Sequence, residues 1–264
     1  MKTKIIDFKK YTSIHIGAKH KVYIINEIGE YKDYTIIGRG NNLLISNNPP
    51  KLAMLSDDFD YIFLKKDKLI VGAATSSGKV LTFAKKNNLA NFEFFAKLPG
   101  SIGGLTKMNA GLKEWEIFNY IDSIKTSKGV IKKEDIKYSY RYTNITDIIY
   151  EVTFNVKNGF DKEKQIMFLQ MRNNQPNLPS AGSCFKNPKE HSAGYLIEKV
   201  GLKGYTIGGM AFSSIHANFL VNMDGGTFDE AIKLINLAKE KVLNQFNILL
   251  ETEIVIVWKN HLAY

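Results

Sequence analysis

Between positions 100 and 111 this chain places Gly100, Gly103, Gly104 and Gly111, behind a Leu98-Pro99 step and around Asn109-Ala110. A stretch this poor in side chains builds no hydrophobic face of its own. It suits a place where backbone comes close to another segment or to a ligand. Clustered backbone N–H groups in such a loop can cradle a phosphate or pyrophosphate; a purely structural loop is the alternative. A second glycine pair stands in Gly38-Arg39-Gly40-Asn41-Asn42-Leu43-Leu44, directly after a predicted strand. It is not a dinucleotide-binding fingerprint, which requires a third glycine three positions after Gly40, where Leu43 stands. Two separate glycine-rich loops in one chain fit a long ligand held along a cleft.

Composition narrows the classes. The chain has 264 residues, 44% of them hydrophobic and 23% charged, which suits folded lobes with their own cores rather than disorder. The one cysteine, Cys184, rules out an intramolecular disulfide and a cysteine-rich zinc site. The five histidines show no paired metal-ligand spacing, and no metal is expected. No apolar run approaches the ~18 residues of a membrane span. The first ten residues lack the apolar core of a secretory signal, so a cytoplasmic location is expected. The net charge of +10 reads either as a lysine-rich solubilising surface or as attraction for a polyanionic small substrate. A non-catalytic nucleotide- or nucleic-acid-binding protein is the third option, favoured only by the positive charge, because the sequence has no run of five basic residues, RNA-binding aromatic signature or zinc-finger spacing.

The residue pattern predicts an α+β chain with at least two lobes. Strands are expected over 21–26, 34–37, 56–64, 68–71, 120–126, 129–131 and 148–156, where β-branched and aromatic residues concentrate. A helix is expected over 77–88, with Val80, Leu81, Phe83 and Ala84 at helical spacing. The polar stretch 157–162 is the best candidate for a lobe boundary. Beyond it, helices are expected over 192–200 and 227–245, and strands over 218–222 and 253–258. The longer helix has Thr227 as its cap and Glu230 at the capping-box position.

A third segment carries chemistry: Pro179-Ser180-Ala181-Gly182-Ser183-Cys184-Phe185-Lys186-Asn187-Pro188. Ser183, Lys186 and Asn187 together offer a proton, a cation and an amide to an anionic substrate. The acyl-transfer signature Gly-x-Ser-x-Gly is not present, and an ordinary turn is the alternative reading.

Taken in order, these segments resemble the UDP-N-acetylenolpyruvoylglucosamine reductase family over nearly the whole chain. Tyr11-Thr12-Ser13-Ile14-His15-Ile16-Gly17 resembles the family's opening. Gly38 to Leu44 resembles its flavin loop, with Asn41 where the family usually has serine. Gly72-Ala73-Ala74-Thr75 stands where the family has a small-residue flavin contact. Leu98 to Gly104 and Met108-Asn109-Ala110-Gly111 match its Ile-Pro-Gly-Ser-x-Gly-Gly loop and the continuation of that loop. Tyr140-Arg141, Ala181-Gly182-Ser183-Cys184-Phe185-Lys186-Asn187-Pro188 and Leu250-Glu251-Thr252-Glu253 match three further motifs. The short interval between Arg141 and Ser183 resembles the family's short form, which lacks an inserted tyrosine-bearing loop. Gly201 to Gly204 and His216 to Asn222 also resemble family signatures, with a core role as the expectation for His216.

The resemblance implies a flavoenzyme that reduces UDP-N-acetylglucosamine enolpyruvate with electrons from NADPH, in peptidoglycan precursor synthesis. It implies a vanillyl-alcohol-oxidase-type FAD-binding unit of two lobes, 1–52 with a returning C-terminal segment 249–264, and 53–158. A smaller α+β lobe, 167–248, would bind the UDP-sugar. FAD would be held non-covalently by Gly38, Gly40, Asn41, Asn42, Leu43, Thr75, Pro99, Gly100, Ser101, Gly103, Gly104, Asn109 and Gly111. Arg141, Ser183 and Glu253 would be catalytic, and Tyr140, Lys186 and Asn187 would bind substrate. Another FAD-linked oxidoreductase of the same fold, acting on an alcohol or hydroxy acid, is the alternative.

Overall fold

The computed structural model describes residues 1–259; residues 260–264, with His261 and the end of the expected returning segment 249–264, lie outside the described residues. The chain divides into two compact units. Unit 1 comprises 1–4, 22–39 and 51–173; unit 2 comprises 5–21, 40–50 and 174–264.

Unit 1 is built on a five-stranded antiparallel sheet in the order Gly129–Lys132, Ile121–Thr126, Glu151–Asn155, Lys68–Gly72, Ile62–Lys65. Alternation supplies its buried face. Leu69 and Val71 on one strand meet Val152 and Phe154 on the next, and all four are buried. The helix Ser77–Lys86 turns buried Val80 and Ala84 toward the same core. Phe92, Phe94, Phe95 and Phe118 fill that core, each a side chain whose full burial stabilises by ~1.5–3 kcal/mol. A smaller parallel arrangement pairs residues 22–25 with Leu52–Leu55, and Thr35–Ile36 with the start of the same strand.

Unit 2 carries a four-stranded antiparallel sheet in the order Ser180–Ser183, Phe219–Asn222, Met210–Phe212, Thr206–Ile207. The helices Ala193–Lys199 and Phe228–Phe246 bury Leu196, Ile197, Leu234 and Ile235 in one cluster with Phe185, Phe212 and Leu220 of the sheet region. The long helix begins as expected: the Thr227 side chain accepts from the Glu230 N–H, and the Glu230 carboxylate accepts from the Thr227 N–H at 2.9 Å. A separate parallel pair joins Leu43–Ile45 to Val255–Val257.

Several expectations shift. Residues 57–59 form a single 3-10 turn rather than strand, because the Ser56 hydroxyl caps the Asp58 N–H. The strand expected over 148–156 begins only at Glu151, and the one over 253–258 covers Val255–Val257. The glycine-rich stretch is not all loop. Ser101 caps a helix, Ile102–Lys107, that runs through Gly103 and Gly104. The stretch 157–162 is followed by an unforeseen helix, Lys162–Met171, capped by Asp161. That helix buries Phe168 edge-on against Trp115 in the unit 1 core, so unit 1 continues to Asn173, well past 162.

Candidate active site

In unit 1, three of the expected flavin-binding segments lie against one another. The Ile102 N–H donates to the Thr75 carbonyl at 2.8 Å, and the Gly103 N–H to the Ala73 carbonyl at 2.9 Å. A Cβ on Gly103 would stand 2.9 Å from that of Ala73, and one on Gly38 would stand 2.8 Å from the Ser101 hydroxyl. The glycine at 103 therefore lets segments 72–77 and 98–104 pack backbone against backbone, and the glycine at 38 leaves room for the Ser101 side chain. The N–H groups of Ile102, Gly103 and Gly104 are bonded within the protein, the last to the Ser101 hydroxyl at 3.4 Å. These three do not supply the anion cradle that glycine clustering suggested. Thr75 is fully buried and its hydroxyl donates to the Tyr61 carbonyl at 3.2 Å. Pro99 and Gly104 are exposed, and Gly100 is half-buried.

Arg141 is set by a hairpin. Tyr138–Ser139 pairs with Tyr142–Thr143, leaving Tyr140 and Arg141 at the tip, and Arg141 takes a left-handed φ of 53°. Its guanidinium donates to the Gly111 carbonyl at 3.0 Å and the Asn109 carbonyl at 3.4 Å, stands 3.9 Å from Glu116, and lies over the Tyr140 ring at 5.0 Å. Asn109 braces this arrangement. Its buried amide donates to Glu116 at 2.8 Å and to the Ser139 carbonyl at 2.9 Å, and its oxygen accepts from the Phe118 N–H at 3.3 Å. A side chain at position 111 would collide with the Trp115 carbonyl at 2.2 Å, so Gly111 is required by the turn that offers its oxygen to Arg141. Asn109 and Gly111, expected as flavin contacts, also hold the arginine through their carbonyls.

In unit 2, Ser183 ends a strand and faces Phe219 across the ladder. The next residues are held on two sides. The Cys184 N–H donates to the Asn218 carbonyl, and the buried Asn218 amide bonds both the Phe185 N–H at 2.9 Å and the Phe185 carbonyl at 2.8 Å. On the other side the Glu253 N–H donates to the Cys184 carbonyl at 2.9 Å, and the Lys186 N–H to the Glu251 carbonyl at 2.9 Å. These bonds fix Glu253 one residue away from Ser183 across a backbone hydrogen bond.

The tail of the expected flavin loop joins them. The Asn42 amide donates to the Glu253 carbonyl at 3.0 Å, and Leu43 pairs with Val255. Gly40 and Asn41 accept through their carbonyls from the N–H and hydroxyl of Ser13, at 3.1 and 3.2 Å. The Lys186 ammonium lies 3.1 Å from Glu251. Asn187 accepts from the Ala193 N–H at 3.0 Å, at the start of the helix Ala193–Lys199. His216 packs edge-on against Phe219, and burial pushes its pKa down, as a core histidine would behave.

Two side chains, Asn218 in unit 2 and Arg172 in unit 1, escaped sequence reasoning. Asn218 stands inside a segment whose resemblance was noted without a role for the residue. Arg172, in Met171-Arg172-Asn173-Asn174, has neither glycine nor a catalytic pattern around it. Only burial and hydrogen bonding bring it to notice. Among the described residues there is no cluster of three or more His, Cys, Asp or Glu suited to a metal, and no helix long and apolar enough to cross a membrane.

Comparison with known proteins follows this geometry. Residues 174–257 match the profile of the UDP-N-acetylenolpyruvoylglucosamine reductase C-terminal domain. The chain is 43% identical over 258 residues to the UDP-N-acetylenolpyruvoylglucosamine reductase of Campylobacter jejuni strain RM1221, covering 96% of this chain and 100% of that one. It is 44% identical over 262 residues to that of Helicobacter hepaticus, covering 97% and 100%. The crystal structure of the UDP-N-acetylenolpyruvylglucosamine reductase (MurB) from Thermus caldophilus superposes with a TM-score of 0.85 at 26% identity, over 98% of this chain and 99% of that one. The mixed α+β fold expected from the resemblance, with its flavin-binding type of architecture, is borne out by that superposition. This chain belongs to the UDP-N-acetylenolpyruvoylglucosamine reductase family.

Proposed function

We propose that this protein reduces UDP-N-acetylglucosamine enolpyruvate to UDP-N-acetylmuramate in the cytoplasm, with non-covalently bound FAD and with NADPH as electron source. The observation that carries the reading is the backbone hydrogen bond from Glu253 to Cys184, which holds two of the three family catalytic motifs together in unit 2. The residues of unit 1 fit a flavin. Segments 38–39, 72–77 and 98–104 meet through small residues, and a Cβ at exposed Gly104 would have only the Ser101 hydroxyl near it, at 3.2 Å. A flat ring can approach such backbone closely. The proposed cofactor set is Gly38, Gly40, Asn41, Asn42, Leu43, Thr75, Pro99, Gly100, Ser101, Gly103 and Gly104, with Asn109 and Gly111 supporting Arg141. Residues 1–52 with the returning C-terminal segment and 53–158 form the flavin lobes in this reading, and 167–248 hold the UDP-sugar.

The bound flavin supplies the hydride that NADPH provides and the β-carbon of the enolpyruvyl group receives. Negative charge then grows on the α-carbon and its carboxylate. Arg141 meets that charge with a planar fork of N–H donors, held in place beforehand by Gly111, Asn109 and Glu116. Ser183 delivers the proton to the α-carbon. Glu253 must be protonated or share a proton, since a bare carboxylate there would oppose the developing anion. Tyr140, Lys186 and Asn187 bind the substrate, and the net charge of +10 favours its nucleotide diphosphate.

The test is a two-step turnover. NADPH should bleach the yellow protein under anaerobic conditions, and the enolpyruvyl UDP-sugar should restore its colour with formation of UDP-N-acetylmuramate. Protein that cannot be loaded with FAD, or reduced flavin that the enolpyruvyl sugar does not reoxidise, overturns the reading.

A further inference from the structure

Arg172 ends the helix Lys162–Met171 and is only 7% exposed. Its Nε and Nη2 atoms are sealed from solvent and have no hydrogen-bond partner among the described residues. A guanidinium carries five N–H donors and stays charged at any ordinary pH. Burying one unpaired costs several kcal/mol. The helix C-terminus returns only a small part of that through its partial negative charge. A core that needed only to fill this volume would be better served by a methionine or leucine.

The surroundings deepen the conflict. Arg141 lies in the same unit and adds like charge. Burial first, then Arg141, draws the Arg172 pKa down to about 10, which leaves it protonated at neutral pH. One hairpin touches both regions. Gly111 and Glu116 at its two ends engage Arg141, while Trp115 between them packs its ring 5.1 Å from that of Phe168, on the helix that ends at Arg172. The hairpin thus engages Arg141 directly and packs on the helix that ends at Arg172, whose buried Nε and Nη2 donors are unused.

We propose that Arg172 is a second anion-binding guanidinium of the site that contains Arg141, and that its ligand is a planar, delocalised oxyanion. This rests on the reading of Arg141 given above. Two groups in the reaction have that chemistry: the carboxylate of the UDP-sugar, and the anionic pyrimidine edge of a reduced flavin. Bidentate N–H donation suits either.

Arg172→Met separates ligand binding from folding. Stripped of FAD, the variant should melt at or above the parent temperature, because an unpaired buried charge has been removed. Two measurements on the FAD-loaded protein then identify the anion. If it is the carboxylate, the parent should bind UDP-N-acetylmuramate more tightly than UDP-N-acetylglucosamine by calorimetry with the flavin oxidised. Arg172→Met should cut that preference at least tenfold. If it is the reduced flavin, the preference should persist while the flavin midpoint potential falls by at least ~30 mV, the tenfold step for a two-electron couple. An unchanged preference together with an unchanged potential overturns the proposal. Should Arg172→Met fail to fold, Arg172→Lys keeps the charge without the fork and is read by the same two measurements, and the same null result overturns it. A parent protein that shows neither half-reaction would instead overturn the functional reading, so the two failures are distinguishable.

Discussion

The two units hold the residues proposed as catalytic in opposite ways. Around Arg141 in unit 1 the side chain itself is placed, by two backbone carbonyls and a carboxylate, with Asn109 bracing the hairpin from beneath. Around Ser183 in unit 2 the backbone is placed. Residues 184 to 186 are bonded on one side to Asn218 and on the other to Glu251 and Glu253. The difference follows the chemistry. A long, flexible guanidinium loses much rotamer freedom unless it is held beforehand, whereas a serine side chain has a single χ angle and goes where its backbone goes.

The sharpest way to break this comparison is Ser183→Ala. Removing a positioned proton donor should slow reoxidation of the reduced flavin by the enolpyruvyl sugar by at least ~10²-fold. Reduction of the flavin by NADPH needs no such donor and should stay near the parent rate in stopped-flow traces. Substrate affinity is measured separately with oxidised flavin, because the hydroxyl also contributes to binding. Equal slowing of both half-reactions would point to a displaced flavin and remove Ser183 as the donor.

Asn218→Ala tests whether the backbone clamp is what unit 2 relies on. The substitution strands the buried N–H and carbonyl of Phe185, both of which bond the Asn218 amide. Leaving such groups unpaired should lower the unfolding free energy by about 2 kcal/mol in urea titration. A fully parent-like midpoint for Asn218→Ala would mean that the sheet alone holds residues 184 and 185.

Arg141→Lys tests the opposite strategy. Lysine keeps the charge but cannot span the carbonyls of Asn109 and Gly111 with a rigid fork. Reoxidation by the enolpyruvyl sugar should slow more than tenfold, a rise of ~1.4 kcal/mol or more in the barrier. A near-parent rate would show that charge alone suffices at this position and that the preset geometry adds little.

How much of this was legible beforehand divides along the same line. The periodic elements were: the sheet strands about 68–72, 121–126 and 151–155 and the capped helix Phe228–Phe246 follow from local pattern, because each is amphipathic in its own right. The helix Lys162–Met171 was not, since Phe168 is its one buried residue and its docking depends on Trp115, distant in sequence. Glycine density marked segments 98–104 and 38–40 as close-approach sites, but not what approaches. The partner of 98–104 is the 72–77 segment, Gly38 stands against Ser101 and Gly40 against Tyr11 and Thr12, pairings that no single-chain pattern records. Ser183 and Arg141 were readable as motifs. Asn109 and Asn218 do their work through bonds to residues up to 33 positions away, and Arg172 announces itself only as a burial anomaly.

The smallest expected effect is at Cys184, and it checks that the clamp acts through backbone. Cys184 follows Ser183 directly, and its N–H and carbonyl are the atoms bonded to Asn218 and Glu253. Its thiol is fully buried, and burial holds the thiol pKa far above its ordinary value, so little thiolate forms at neutral pH. Iodoacetamide at pH 8 should therefore leave the folded protein almost unlabelled and label the urea-unfolded chain fully, read by mass spectrometry. Cys184→Ala removes one sulfur from a packed interior, a loss of roughly 1 kcal/mol in stability. It leaves every clamp hydrogen bond in place, so both half-reactions should stay within about twofold, under ~0.4 kcal/mol in either barrier. If Cys184→Ala abolished reoxidation while Ser183→Ala spared it, the proton donor would be the neighbouring residue. The distinction between a placed side chain in unit 1 and a placed backbone in unit 2 would then fail at its most exposed point.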